Sequence, residues 1–475
     1  MKKIGLNNFK FGFIIILTML FLINCDDDQS TETNQEIIEN TPIDTEIHMA
    51  WVYFKNKPNK QLYINNPLTI LTQKSIDRRI RQNIAIDEKD APIEKSYYNQ
   101  INNMAGIKIK AKSKWLNALH IEGTKTNINK LKQLSFVANI EFADKSLNIS
   151  GKLAHKKRLH NPENKFGEIS ADFNYGNGLN QIQMLGGDVL HQQKYTGSGI
   201  IIAVIDAGFP GVDTFMAFKR LRENKNILGG YNFVTRNNNF YNGISHGTAV
   251  LSTIAGYIDN QYIGTAPDAS FYLFITEDAS KETPLEESLW VEAAEKADSL
   301  GVDIINTSLG YNTFDNPKHD YSYADMNGSK TFISRGAEIG FSRGMILVNS
   351  AGNEGANSWK YIIAPADAKS VLSVGAVDAN RVIASLSSFG PTADGRVKPD
   401  VLAQGFGAFV INTTGQISTS NGTSFASPIM AGVIACYWQK NRNKTNKEVI
   451  QFIRESSHLY PFSTPQEGYG IPKFN

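Results

Sequence analysis

The stretch Asn421-Gly422-Thr423-Ser424-Phe425-Ala426-Ser427-Pro428 joins a turn-rich segment to an apolar run, Ile429 to Trp438, that reads as a buried helix. The small residues before Ser424 allow a tight turn that leaves its hydroxyl uncovered. Ser424 then stands where a helix begins, beside unpaired backbone N–H groups and the positive end of the helix dipole. A serine at such a place most often serves as a helix cap. It can also be a nucleophile, because the same donors would stabilise an oxyanion formed at its side. The rest of the chain decides between the two.

From about Gln181 onward the sequence alternates strands with helices. Gly199-Ile200-Ile201-Ile202-Ala203-Val204-Ile205-Asp206 is a continuous apolar run closed by a carboxylate. Such runs, buried on both faces, belong to parallel sheets. Ala269 to Ile275, Val302 to Asn306, Met345 to Asn349 and Val371 to Val374 read as further strands, with a helix over Glu286 to Leu300. This order predicts an α/β fold, an open parallel sheet with helices on both faces. Functional residues on such sheets gather at the carboxyl ends of strands.

Three segments at such places accompany Ser424. Asp206 closes the strand in Val204-Ile205-Asp206-Ala207-Gly208. His246 opens a helix in Ser245-His246-Gly247-Thr248-Ala249-Val250. Asn353 follows a strand in Asn349-Ser350-Ala351-Gly352-Asn353-Glu354. Taken singly, each has an ordinary structural reading as turn former, helix starter or loop residue. As an ordered set they resemble the subtilisin-like serine proteases, the subtilases. That family carries Asp, then His in His-Gly-Thr, then Asn, then Ser in Gly-Thr-Ser-x-Ala-x-Pro. The resemblance runs from about Gln181 to the C terminus.

The resemblance implies a serine endopeptidase acting on extended polypeptides through an Asp206–His246–Ser424 triad. Serine is a weak nucleophile at neutral pH and needs a base, here His246, to take its proton and return it to the leaving amine. Asp206 would hold the other ring nitrogen. The side-chain amide of Asn353 and the N–H of Ser424 would face the developing oxyanion. Ser308-Leu309-Gly310 is similar to the segment that pairs with substrate in the family, a main-chain mode with little sequence demand. Ser350-Ala351-Gly352 is expected to line the first specificity pocket, its small side chains leaving room for a bulky group. The chemistry requires no cofactor, and family calcium loops cannot be mapped onto this sequence. Two departures bear on specificity: Ala207 to Asp213 lacks the usual polar, histidine-bearing continuation, and Tyr311 to Thr331 reads as an insertion near the substrate cleft.

Ahead of this domain, residues 47–148 read as a small α+β unit. Strands are expected at Met49 to Phe54, Ile107 to Lys110, Ala118 to Ile121 and Val137 to Phe142. Helices are expected over Leu71 to Ile80, with a basic outer face, and near Asn127 to Leu134. Its size and position resemble the propeptide that assists folding of secreted subtilases and inhibits them until cleaved. The chain's own propeptide is then a partner, and residues 149–180 a linker with the maturation site. Residues 26–46 are polar and acidic and read as a tether. Residues 1–25 form a signal-like segment: Lys2, Lys3 and Lys10 precede the apolar run Phe11 to Ile23, too short to span a bilayer comfortably. It ends Leu22-Ile23-Asn24-Cys25, which resembles a bacterial lipobox, although Asn24 departs from the usual small residue. Cys25 is therefore the expected lipidation site, anchoring an exported chain to a membrane. Asp26-Asp27-Asp28 resembles tags that send lipoproteins to the cell surface.

Bulk properties fit a large soluble core: 475 residues, 41% hydrophobic and 20% charged. A net charge of +2 argues against a nucleic-acid partner, and two cysteines, Cys25 and Cys436, cannot build a disulfide framework. Two other functions fit less well. A catalytically silent lipoprotein using the fold as a binding module is at odds with every catalytic position being filled. An esterase or acyl transferase would be expected to carry its nucleophile in Gly-x-Ser-x-Gly, whereas Ser424 stands in Gly422-Thr423-Ser424-Phe425-Ala426.

Overall fold

Alternation shapes the first sheet. In β1 (Ile47–Phe54), Ala50, Val52 and Phe54 enter one apolar cluster, while Trp51, flanked by Met49 and Tyr53, enters another. A strand with two covered faces needs layers on both sides. β1 pairs antiparallel with β3 (Ala118–Thr124) and β4 (Val137–Phe142), and β3 pairs with β2 (Ile107–Ser113), giving the order β2-β3-β1-β4. The helices of this region are α1 (Lys60–Asn65), α2 (Gln73–Arg81), α3 (Lys95–Asn102) and α4 (Lys125–Lys130). Ile101 and Ile128, from α3 and α4, cover the Ala50–Val52–Phe54 face. The computed structural model describes residues 44–148 and 173–474, and from Asp44 onward the chain is one compact unit. The signal-like run, Cys25, most of the tether and residues 149–172 of the linker lie outside the described residues.

Helix α2 is the reverse of its sequence reading. The basic face points inward: Arg78 and Arg79 are 1% exposed, while Ile80 is 72% exposed. Asp298, 220 residues after Arg78, supplies the buried opposite charge that pairs with both arginines. Thr72 caps the helix by accepting from Ser75 N, so it starts after Leu71. α4 likewise starts early, capped by Thr124, and passes into a 3-10 turn over Leu131–Gln133.

The second region contains α5 (Leu179–Gln183), α6 (Gly187–Gln192), β5 (Ile201–Asp206), α7 (Lys219–Glu223), β6 (Ile227–Asn232) and α8 (His246–Ala255). A small hairpin of β7 (Tyr257–Ile258) and β8 (Tyr262–Ile263) precedes β9 (Ser270–Ile275), α9 (Pro284–Leu300) and β10 (Ile304–Thr307). Then come α10 (Phe332–Ser342), β11 (Ile346–Ser350), β12 (Leu372–Val377), β13 (Val401–Gln404), the hairpin β14 (Ala408–Ile411) and β15 (Ile417–Ser420), α11 (Thr423–Lys440) and α12 (Asn446–Glu455).

Seven of these strands form one parallel sheet in the order β13-β12-β11-β10-β5-β9-β6. All six residues of β5 are buried, as its unbroken apolar run requires. β6 escaped the sequence reading because Gly229-Gly230 interrupts its pattern. The second glycine is required, since a Cβ there would lie 2.2 Å from the Leu273 carbonyl oxygen. Helices α8 and α11 pack on one face, and α9 and α10 on the other. From β5 the chain goes to β6 and β9 on one side, then to β10 and its successors on the other. The sheet therefore has a switch point between β5 and β10, where α/β sheets hold their sites. No helix among the described residues is long and apolar enough to cross a membrane.

The helix carrying Ser424 is longer than its apolar run suggested, beginning at Thr423 and continuing through Pro428. It is buried from Thr423 to Trp438, with Cys436 at 0% exposure as a small core residue.

Candidate active site

Asp206 and His246 meet because two chain segments can approach closely. A Cβ on residue 247 would come within 2.5 Å of the Gly208 carbonyl oxygen and 2.9 Å of Asp206 Cβ, so only glycine lets α8 reach the end of β5. Thr248 Oγ1 then donates to the Pro210 carbonyl at 2.8 Å, pinning α8 to the loop after the strand. His-Gly-Thr is thus a packing device as well as a carrier of the imidazole. Nδ1 of His246 lies 2.8 Å from Oδ1 of Asp206, which also accepts from Ala207 N at 2.8 Å. The Asp206 carboxylate raises the His246 pKa above its ordinary 6.5, against the opposing effect of burial. With Nδ1–H committed to Asp206, Nε2 is the free basic nitrogen.

Gly422 opens the second half of the site. Its φ of +153° is accessible to glycine alone, and a Cβ there would sit 3.5 Å from Asn353 Nδ2 and 3.7 Å from Ser424 N. The missing side chain leaves that space free. Oδ1 of Asn353 accepts from Thr423 N (2.9 Å) and Thr423 Oγ1 (3.0 Å). This fixes which end of the amide faces the helix and leaves Nδ2 without an acceptor among the described residues. The N–H of Ser424 has none either. Two unspent donors thus flank the first turn of α11.

The Ser424 hydroxyl donates to the main-chain carbonyl of Ser308 at 3.2 Å. Among the described residues no hydrogen bond joins it to His246, whose ring rests against Phe425 at 6.0 Å between centroids. Rotation about one side-chain torsion re-aims Oγ, and such contacts often tighten only when substrate binds.

The two segments expected to contact substrate are brought together by a residue that the sequence did not single out. Asn349 Nδ2 donates to the Leu309 carbonyl (3.2 Å) and the Ser350 carbonyl (2.8 Å), tying Ser308-Leu309-Gly310 to Ser350-Ala351-Gly352. Gly352 N donates to Thr423 Oγ1 at 3.2 Å, which joins the second segment to α11. Also missed was Glu277, just past the carboxyl end of β9. Both its oxygens accept from Tyr311 Oη, at 2.8 and 2.9 Å. Burial pushes this carboxyl and that of Glu286 upward, and Glu277 adds to the field that raises His246. Its position at a strand end was the available signal. No group of three or more His, Cys, Asp or Glu able to hold a metal occurs among the described residues.

A subtilase family model matches residues 197–471, and a model for the peptidase S8 propeptide domain of Bacteroidota matches residues 49–162. The chain belongs to the subtilase family. It is similar to Subtilisin NAT of Bacillus subtilis subsp. natto, 32% identical over 298 residues that cover 62% of this chain and 68% of the relative. Subtilisin of Bacillus pumilus is also 32% identical over 298 residues, covering 95% of its length. Serine protease AprX of Bacillus subtilis (strain 168) is 27% identical over 307 residues, 58% of this chain and 65% of the relative. A subtilase domain behind its own propeptide makes this chain a serine endopeptidase zymogen.

In this subtilase the propeptide packs the Trp51 face of its sheet onto α9 and α10. Trp51 stacks on Phe332 with centroids 5.2 Å apart and donates from Nε1 to Ser288 Oγ at 2.8 Å. His120 Nδ1 lies 2.8 Å from the same Ser288 hydroxyl. Glu295 accepts from Ser113 Oγ (2.6 Å), Lys114 N (3.1 Å) and Trp115 N (2.9 Å), and burial raises its carboxyl to about 7. A second anchor comes from α2. Arg78 reaches Asp298 and the carbonyls of Val302 and Arg343, and Arg79 bridges Asp90 and Asp298. The Tyr311–Thr331 loop takes part in this interface. Lys145 of the propeptide reaches the Asp320 carbonyl (2.6 Å) and Asp325 (3.0 Å), and its Nζ lies 4.2 Å from the centre of the Tyr321 ring.

Proposed function

We propose that Ser424 is the nucleophile, His246 the general base and acid, and Asp206 the carboxylate that orients and stabilises the imidazolium. In acylation, Ser424 Oγ attacks the scissile carbonyl carbon as its proton passes to His246 Nε2. The carbonyl oxygen becomes an oxyanion between Asn353 Nδ2 and the Ser424 N–H, and collapse expels the amine, which takes the proton from His246. Water then repeats the sequence to release the acid. The observation that carries this reading is the 2.8 Å Asp206–His246 contact beside a helix start with two unspent donors.

Ser308-Leu309-Gly310 would pair with an extended substrate along its backbone, and Ser350-Ala351-Gly352 would flank the pocket for the side chain before the cleaved bond. The zymogen is read as self-processing within residues 149–180. A C-terminally tagged wild type should shorten on expression while Ser424→Ala stays at full length. Equal shortening of both would mean that another enzyme performs the cleavage. Matured wild type should degrade casein, and intact casein after confirmed maturation would favour a binding module.

Export and anchoring belong to the same proposal. Lys2, Lys3, the apolar run and Cys25 support a lipidated exported protein, held at the outer membrane or the cell surface. Mass spectrometry of the mature N terminus tests it: a diacylglyceryl-modified Cys25 is expected, and an unmodified or differently placed N terminus would contradict it.

A further inference from the structure

Beneath Ser424 lies a chain of polar side chains that no step above uses. Pro428 is the sixth residue of α11 and has no N–H, so the Ser424 carbonyl, four residues earlier, lacks its helical partner. The Ser308 hydroxyl donates to that carbonyl instead, at 2.8 Å. Asn306 Nδ2 donates to Ser308 Oγ (3.2 Å), and Ser427 Oγ donates to Asn306 Oδ1 (2.9 Å). Asn306 and Ser427 are 0% exposed and Ser308 is 4% exposed, so water does not compete for these groups.

The chemistry of the groups fixes the direction of the chain. Asn306 presents an NH2 to Ser308, and an NH2 cannot accept, so the Ser308 hydroxyl proton has to point elsewhere. The Ser424 carbonyl is the acceptor it finds. The carbonyl of Ser308 in turn accepts the nucleophile's hydroxyl, so this one residue holds Ser424 at two points.

We propose that Asn306, Ser427 and the side chain of Ser308 are positioning residues for catalysis: together they replace the hydrogen bond that Pro428 removes and fix the Ser424 carbonyl. The Cα of Ser424, from which both its hydroxyl and its N–H project, is held by the same contacts. The proposal rests on Ser424 being the nucleophile.

The test uses protein matured from the full-length precursor and a small serine-directed phosphonate, whose labelling rate reports nucleophile aim independently of peptide binding. Kinetics on a peptide substrate accompany it. Ser308→Ala and Asn306→Asp should each lower the labelling rate and kcat by ~10- to 100-fold, the scale of a misplaced reacting group, with KM within ~threefold. Asn306→Asp keeps the shape but offers a carboxylate, which draws the Ser308 proton away from Ser424. Ser427→Ala, one link further out, should lose only ~threefold. Pro428→Ala restores a backbone N–H to the Ser424 carbonyl, so in the Ser308→Ala background it should recover at least ~fivefold in labelling.

Wild-type labelling rates in Ser308→Ala and Asn306→Asp would overturn the proposal. So would losses from Ser308→Ala and Pro428→Ala that simply multiply, as expected of a merely structural role. If Asn306→Asp fails to mature, the Ser308/Pro428 pair decides alone. A wild type that does not label would count against Ser424 as nucleophile, a separate failure visible before any variant is made.

Discussion

Nδ1 of His246 stands 2.8 Å from Oδ1 of Asp206, a carboxylate that is itself 1% exposed. The pairing holds a proton on the imidazole more tightly than water does, so the His246 pKa lies above its ordinary 6.5. As the proposed general base, His246 works only when neutral. The acidic limb of kcat/KM is therefore expected above pH 6.5, with activity rising through it. Asp206→Asn should move that limb to lower pH and cut kcat by about 10⁴, the loss found for this change in another triad protease. Linkage carries the same sign: the folded chain binds the proton more tightly. The pair's contribution to stability is therefore complete below about 6.5 and fades as pH rises through the folded-state value. A pH–rate profile of both proteins measures the limb, and an unmoved limb in the variant would contradict the pairing.

Asn353 is exposed and its Oδ1 is already committed to Thr423, which leaves Nδ2 as the group available to an oxyanion. Asn353→Ala should lower kcat by ~100- to 1,000-fold, the loss known for the corresponding asparagine of subtilisin, a relative. The melting temperature should change little. Steady-state kinetics and a thermal melt separate the two effects.

Arg78 and Asp298 are 1% and 0% exposed and face each other across the propeptide interface. Removing one partner of a buried pair leaves a charge that water cannot reach, at a cost of about 3–5 kcal/mol. Asp298→Ala in the Ser424→Ala chain leaves Arg78 without its carboxylate partner and should lose stability on that scale in urea unfolding. A loss under about 1 kcal/mol would mean that the pair contributes no more than an exposed one and would contradict this reading.

Features that depend on local pattern were legible in the sequence. β5 was visible because an unbroken apolar run ending in Asp206 has few other uses, and the small residues before Ser424 announced the helix start. Features that depend on distant partners were not. The two arginines of α2 are polar by every local rule and turn inward only because Asp298 waits 220 residues away. Gly229-Gly230 hid β6, since its apolar gap serves the close approach of Leu273. Asn306 and Ser427 looked like ordinary strand and helix residues. Their link exists only once β10 lies under α11.

Every step of the proposed reaction depends on Ser424 being an activated nucleophile and His246 the group that activates it. This is tested most directly by treating matured protein with a serine-directed phosphonate and locating the adduct by peptide mass spectrometry. A single adduct on Ser424 is expected, one that blocks proteolysis and nearly vanishes in His246→Ala. Labelling at another residue, or undiminished labelling of Ser424 without the imidazole, would contradict it.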